Sequence, residues 1–208
     1  MNLAGILSAS TSTAVLVEGE SDRAAVEALA ARRGLPLARR GVQVVAMGGI
    51  TNIGHHLVAL LGSSAGATPE TATGTIAAKG LRIGGLYDAA EERFVVKGLD
   101  RVGLRPAASA TPLSEHGFFR CDRDLEDELI RAVGVDAFVE LIAAEGERRS
   151  FERLQGQPVQ RDWSVAQQLH RFLGSKAGRK EYYGRRLAEV LPLDRIPKPL
   201  EALLRWAA

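Results

Sequence analysis

At 208 residues and 46% hydrophobic content the chain can bury a full core without cross-links, and its single cysteine, Cys121, excludes an internal disulfide and a metal-thiolate site. No run approaches the roughly 18 apolar residues of a membrane span and no positive stretch precedes the first apolar residues, so a soluble, cytoplasmic protein with no membrane partner is expected. Net charge is only +2, but residues 1–147 hold 14 Lys and Arg against 19 Asp and Glu, and residues 148–208 hold 13 against 6. An acid-rich body thus carries a basic C-terminal segment, a difference that solvated helix faces alone could produce.

The first predicted element is a buried strand, TAVLV (13–17), followed by a helix over 22–34 with Ser21 as its cap and Gly34 as its stop. VQVVAM (42–47) is a second strand; Gly48 and Gly49 break it, and helical spacing returns over 51–62. Residues 63–80 are small, polar and turn-rich, and are expected to form a mobile loop that could include a short helix. LRIGGLYD (81–88) is the third strand, 89–103 a helix and GFFRCD (117–122) a shorter fourth strand; from 125 onward the pattern is helical. Alternating strands and helices imply parallel pairing through right-handed crossovers, hence an α/β sheet with helices on both faces. The expected organisation is an α/β core over 1–134 and a helical, basic C-terminal subdomain over 135–208.

Acids fall where the carboxyl ends of parallel strands should lie, the edge at which open sheets bind ligands. Glu18 follows the first strand, Asp88 ends the third, and Asp124, Glu126, Asp127 and Glu128 follow the fourth. Each has an ordinary alternative. Glu20 and Asp22 suit the positive end of a helix dipole, Asp88 suits a helix cap, and Glu126 to Glu128 suit an acidic first turn. Glu18 has no such use once Ser21 caps the helix. Carboxylates delivered from three strand ends would repel one another unless a cation neutralised them, and oxygen-only ligation suits Mg2+ or Mn2+.

VLVEGESD (15–22), VVAMGGITNI (44–53), LRIGGLYDAAEE (81–92), DRDLEDELI (122–130) and GSKAGRK (174–180) together resemble a TOPRIM domain. That metal-binding fold is shared by topoisomerases, bacterial primases and OLD-family nucleases, and the resemblance is to the OLD version. It implies a Rossmann-like parallel sheet, a centre of two divalent ions, Mg2+ or Mn2+, and hydrolysis of DNA phosphodiesters. By the same resemblance Glu18 matches the family's glutamate, Asp22 the second acid of that motif, and Asp88 the first aspartate of a D-x-D. The next aspartate would fall at Ala90, a departure for which Glu91, one position on, offers a longer side chain. Glu126, with Asp124 or Glu128, resembles the later acidic element, and Lys180, with Lys176 as a rival, the OLD lysine.

The chemistry agrees: hydrolysis of a phosphodiester needs an activated water and charge offset at both oxygens, which two ions supply, with a lysine at the phosphate. Glu18, Asp88 and Lys180 are thus the expected catalytic set, and Glu18, Asp22, Asp88, Glu91, Asp124, Glu126 and Glu128 the candidate ligands. Lys176, Arg179, Lys180, Arg185 and Arg186 form the candidate nucleic-acid surface. No P-loop sequence G-x-x-x-x-G-K-[ST] occurs, so any ATPase of the kind that accompanies OLD proteins is expected on a separate chain. Ala90 keeps open a module that binds nucleic acid or such a partner without cutting. MGGITN lacks the dinucleotide-binding glycine pattern and reads as a tight turn. Adjacent His55 and His56 point apart on a helix, Cys121 is expected to be buried, and Trp163, Trp206, Phe172 and Tyr183 are expected in the core.

Overall fold

TAVLV is apolar throughout because both of its faces are covered. In the computed structural model, which describes residues 7–61, 76–78, 80–103 and 112–208, strand β1 (Thr13–Val17) is buried at every position. Ala14 and Leu16 face one apolar cluster while Val15 and Val17 face another, as the two-residue period of a strand requires. Parallel neighbours flank it: β2 (Val42–Ala46) on one side and β4 (Leu81–Asp88) on the other. The free edge of β4 is shared. Its C-terminal half pairs in parallel with β5 (Phe118–Cys121), and its N-terminal half pairs antiparallel with the short β3 (Ile76–Ala78). The four longer strands are parallel, as their alternation with helices implied. Strand β3 lies where a loop was expected, because three residues without apolar alternation carry no strand signal and form one only against an open edge. The rest of that expected loop, residues 63–75 and 79, lies outside the described residues.

Helix α1 (Glu20–Arg32) begins two residues earlier than its sequence pattern suggested. Gly19, not Ser21, is its cap, and the Asp22 carboxylate turns back to accept the Gly19 N–H at 2.8 Å. Helix α2 (Ile53–Leu61) and helix α3 (Glu92–Arg101) each open with one 3-10 turn and cover the face of Leu16. Helices α1 and α9 (Lys198–Ala207) pack on the opposite face, in one apolar cluster with α4 (Leu125–Val133), α5 (Val135–Ala144), α6 (Arg148–Gln155), α7 (Val165–Leu173) and α8 (Arg179–Val190), which pack on one another. The buried face of α1 is mostly alanine, which lets α8 lie close across it.

One apolar cluster runs from Val15 in the central strand to Ala207 in the last helix, so no break in packing follows residue 134. Its centre among the helices is aromatic. Phe138 meets Tyr183 edge-on at 5.5 Å and Phe151 meets Phe172 at 5.3 Å, contacts worth about 0.5–1.5 kcal/mol each beyond burial. Phe172, Tyr183 and Cys121 are buried as expected, and Trp206 packs partly on the same core. Trp163 is 41% exposed instead, because it sits in the turn before α7 and not on an apolar face. His56 is buried and His55 exposed, so the two rings do point apart. Among the described residues no helix is long and apolar enough to cross a membrane.

Candidate metal centre

The carboxyl edge of the sheet gathers the acids. Glu18 leaves β1 and is held through its backbone by the MGGITN turn: the Gly49 N–H donates to the Glu18 carbonyl at 3.0 Å, and Met47 N–H to that of Val17 at 2.9 Å. Gly48 at φ +69° and Gly49 at φ +115° supply backbone that other residues rarely adopt, and the Asn52 amide ties the turn to the carbonyls of Met47 and Gly48. The two glycines therefore serve a tight turn through their positive φ, and not a close approach, since an added Cβ would meet nothing nearer than 3.8 Å at Gly48 or 3.9 Å at Gly49. Asp88, at the end of β4, makes no capping hydrogen bond to the turn it precedes, so its carboxylate is left for the site. Glu91, one turn on, joins it. Glu18, Asp88 and Glu91 each offer an oxygen within 4.8 Å of the others, and Glu91 Oε2 is buried without a hydrogen-bond partner.

A second group adjoins this one. Asp124, Glu126 and His170 also offer atoms within 4.8 Å of one another. Asp124 caps α4, its Oδ1 accepting the Asp127 N–H at 2.8 Å, while its Oδ2 lies 2.7 Å from His170 Nε2. Burial works against the Asp124 charge, but His170 and the Asp127 amide outweigh it and hold its pKa below the usual carboxylate value. Glu126 is 4% exposed, and its Oε1 meets Lys180 Nζ at 3.0 Å. Asp22 and Asp88 join the two groups electrostatically. Burial, then the neighbouring Glu126 charge, pushes Asp22 up to about 7; burial, then Asp124, Asp22, Glu18 and Glu91, pushes Asp88 up to about 8. Burial and the Glu18 charge raise Glu91 as well. Burial is the first cause of both shifts and the crowding of acids the second, and a cation among them would relieve the second.

Lys180 reaches the acids because α8 is fixed at two places. Arg179, 7% exposed, donates from Nη2 and Nε to the Glu147 carboxylate at 2.7 and 3.1 Å and stacks 3.9 Å from the Phe172 ring centroid. One turn past Lys180, Gly184 lies against the start of α1, where an added Cβ would fall 2.8 Å from the Ser21 carbonyl oxygen. Residues 180 and 184 share a helix face, so this close crossing aims the lysine at Asp22 and Glu126.

The structure thus brings together Glu18, Asp22, Asp88, Glu91, Asp124, Glu126 and Lys180. Glu128 lies elsewhere: it accepts the Asp122 N–H at 3.0 Å and pairs with Arg131 at 2.9 Å, on the other side of α4. Arg179 presents no free guanidinium to a phosphate, being spent on Glu147. Arg186 is paired with Glu145 and Glu189. Arg185 and Lys176 are exposed, Lys176 standing 4.0 Å from Glu147. Sequence reasoning missed His170. It lies inside an ordinary amphipathic helix and its partner Asp124 is 46 residues away, so no local pattern marks it.

The donor set fits divalent cations: clustered oxygens, a buried orphan carboxylate oxygen and carboxyl pKa values raised by burial and by neighbouring acids. Residues 11–64 match the family model of the Overcoming lysogenization defect protein-like TOPRIM domain. Among solved structures, the C-terminal region of the Xanthomonas campestris pv. campestris OLD protein superposes with a TM-score of 0.66 at 22% identity, covering 94% of this chain and 91% of that one. The C-terminal region of the Burkholderia pseudomallei OLD protein gives 0.65 at 17% identity, over 95% and 96%. No curated protein matches the sequence. The chain therefore carries an OLD-like TOPRIM match at residues 11–64 and has the fold of an OLD C-terminal region.

Proposed function

We propose that this chain is a metal-dependent nuclease that hydrolyses DNA phosphodiester bonds with Mg2+ or Mn2+. The observation that carries the reading is the meeting of Glu18, Asp88 and Glu91 with Asp124, Glu126 and Lys180 at the carboxyl edge of the sheet. When bound, divalent ions there would activate a water and offset charge on the attacking and leaving oxygens. Glu18, Asp88 and Glu91 would hold one position, and Asp124 and Glu126, with Asp22 beside them, the other. Burial opposes charge on Lys180, but Glu126 more than compensates and holds its pKa above the ordinary lysine value, so the amine keeps its proton. It can then turn from Glu126 to a phosphate oxygen and donate to it as negative charge develops. The exposed Lys176 and Arg185 on the same basic segment would receive the flanking phosphates. The helical segment 135–208 supplies Lys180 and completes the site.

The test is incubation of the purified chain with supercoiled plasmid under Mg2+, Mn2+ or chelator, beside Glu18→Gln and Asp88→Asn. The expected result is nicking or linearisation with metal, a loss of at least about 100-fold in both variants, and none with chelator. Undiminished cutting by the variants would sink the proposed centre. Failure to cut with any metal, together with metal-independent retention of DNA, would favour the binding module that Ala90 suggests. Glu91, whose carboxylate reaches the cluster that the missing aspartate would have joined, supports the catalytic reading.

A further inference from the structure

Among the described residues His170 is the one nitrogen donor of the clustered ligand atoms, and its Nε2 faces Asp124 Oδ2 at the edge where the acids gather. We infer that His170 is a direct ligand of the candidate centre, so that the position it forms with Asp124 and Glu126 takes Mn2+ in preference to Mg2+. The inference rests on the reading that this edge of the sheet holds divalent ions, and it specifies which ion and through which atom.

Three features carry it. His170 Nε2 lies 2.7 Å from Asp124 Oδ2. Adjacent ligands of an octahedral ion with bonds of about 2.1 Å stand about 3 Å apart, so the pair needs to open by only a few tenths of an ångström. The carboxylate is aimed as well as near, because Asp124 Oδ1 is committed to the Asp127 N–H at 2.8 Å and leaves Oδ2 toward the ring. The ring is presented by a fixed element. Helix α7 is closed at its start by the reciprocal Ser164 and Gln167 cap, and Leu169, Phe172 and Leu173 around His170 are buried. All three ligand atoms lie within 4.8 Å of one another, so drawing them into one six-coordinate shell, about 4.2 Å across, takes a shift of about half an ångström at most.

The chemical consequence is selectivity. Mg2+ takes oxygen ligands and gives up its waters reluctantly, whereas imidazole suits first-row transition ions. Glu18, Asp88 and Glu91 form an all-oxygen position that does not discriminate this way. The two positions should therefore differ in metal preference. On binding, the ring would present the unprotonated Nε2 to the ion and keep its remaining proton on Nδ1.

The experiment is electron spin echo envelope modulation on the metal-free full chain loaded with Mn2+, once with natural histidine and once with histidine labelled with nitrogen-15. A modulation from a directly bound imidazole nitrogen that changes with the label is expected, and it needs no variant. Beside it, Mn2+ and Mg2+ affinities are measured by calorimetry for the wild type and His170→Gln. Mn2+ affinity at one site should fall by about tenfold or more while Mg2+ affinity moves by less than about threefold. Bound Mn2+ without nitrogen modulation, with an unchanged ratio of Mn2+ to Mg2+ affinity in His170→Gln, would overturn the inference and reduce His170 to a residue that orients Asp124. No Mn2+ binding by the wild type would instead overturn the metal-centre reading beneath it.

Discussion

Two carboxyls, Asp22 and Asp88, set how the protein answers to pH. Both start from about 3.8 and are pushed up to about 7 and about 8 by burial and by neighbouring acids. The folded metal-free protein therefore holds protons that the unfolded chain has released, and the stability this contributes is full below the unfolded value and lost as pH rises through 7 to 8. Thermal unfolding without metal should show Tm falling between pH 5 and pH 8.5, and the rise in Tm on adding Mn2+ should be larger at pH 8.5. A metal-free Tm flat over that range would contradict the electrostatics of the site. Lys180 answers differently. Lys180→Met should lower the cutting rate by about 100-fold or more and cost about 1–3 kcal/mol by leaving Glu126 buried without its partner. Adding Glu126→Gln should restore much of the stability, measured by urea unfolding, but not the activity. At this scale the sequence was informative about Glu18 and Asp88, which follow apolar strands and have no capping duty. It was silent about His170 and misleading about Glu128 and Arg179, whose partners Arg131 and Glu147 turn them away from the site and are set by tertiary packing.

Helices and strands explain why that division falls as it does. Strand β1 begins and ends where its apolar run does, because it is buried at every position, and β4 is buried over Ile83–Tyr87 and runs past that stretch at both ends. Strand β3 had no such signature, and the start of α1 was misplaced because a glycine with a returning aspartate caps it in place of a serine. The crossing of α8 over α1 was invisible too, since Gly184 reads as a helix weakness until Ser21 is seen against it. Gly184→Ala should force the helices apart, cost about 1–3 kcal/mol of stability and withdraw Lys180. Activity should then fall further than the modest loss in Tm would produce, and a fully active variant would show that the crossing does not position the lysine.

For the molecule as a whole, one of the two apolar clusters, the one on the α1 face of the sheet, continues across residue 134, where sequence patterning divides the chain. Val15, Val17 and Leu29 pack in the same cluster as Phe172, Tyr183 and Leu204. Residues 1–134 expressed alone should lack a cooperative unfolding transition, because the alanine-rich face of α1 would lose its cover of α8; a sharp transition by circular dichroism would show the segment to be independent. The same arrangement orders the site in time. Carboxylates from Glu18 to Glu126 emerge first in synthesis, and His170 and Lys180 follow them. A nascent or prematurely terminated chain carries the acids without the imidazole or the amine. The candidate centre cannot be complete on a fragment that stops short of Lys180, and a chain that cuts nucleic acid would acquire that capacity only once residues 170–180 had been made and folded against the sheet.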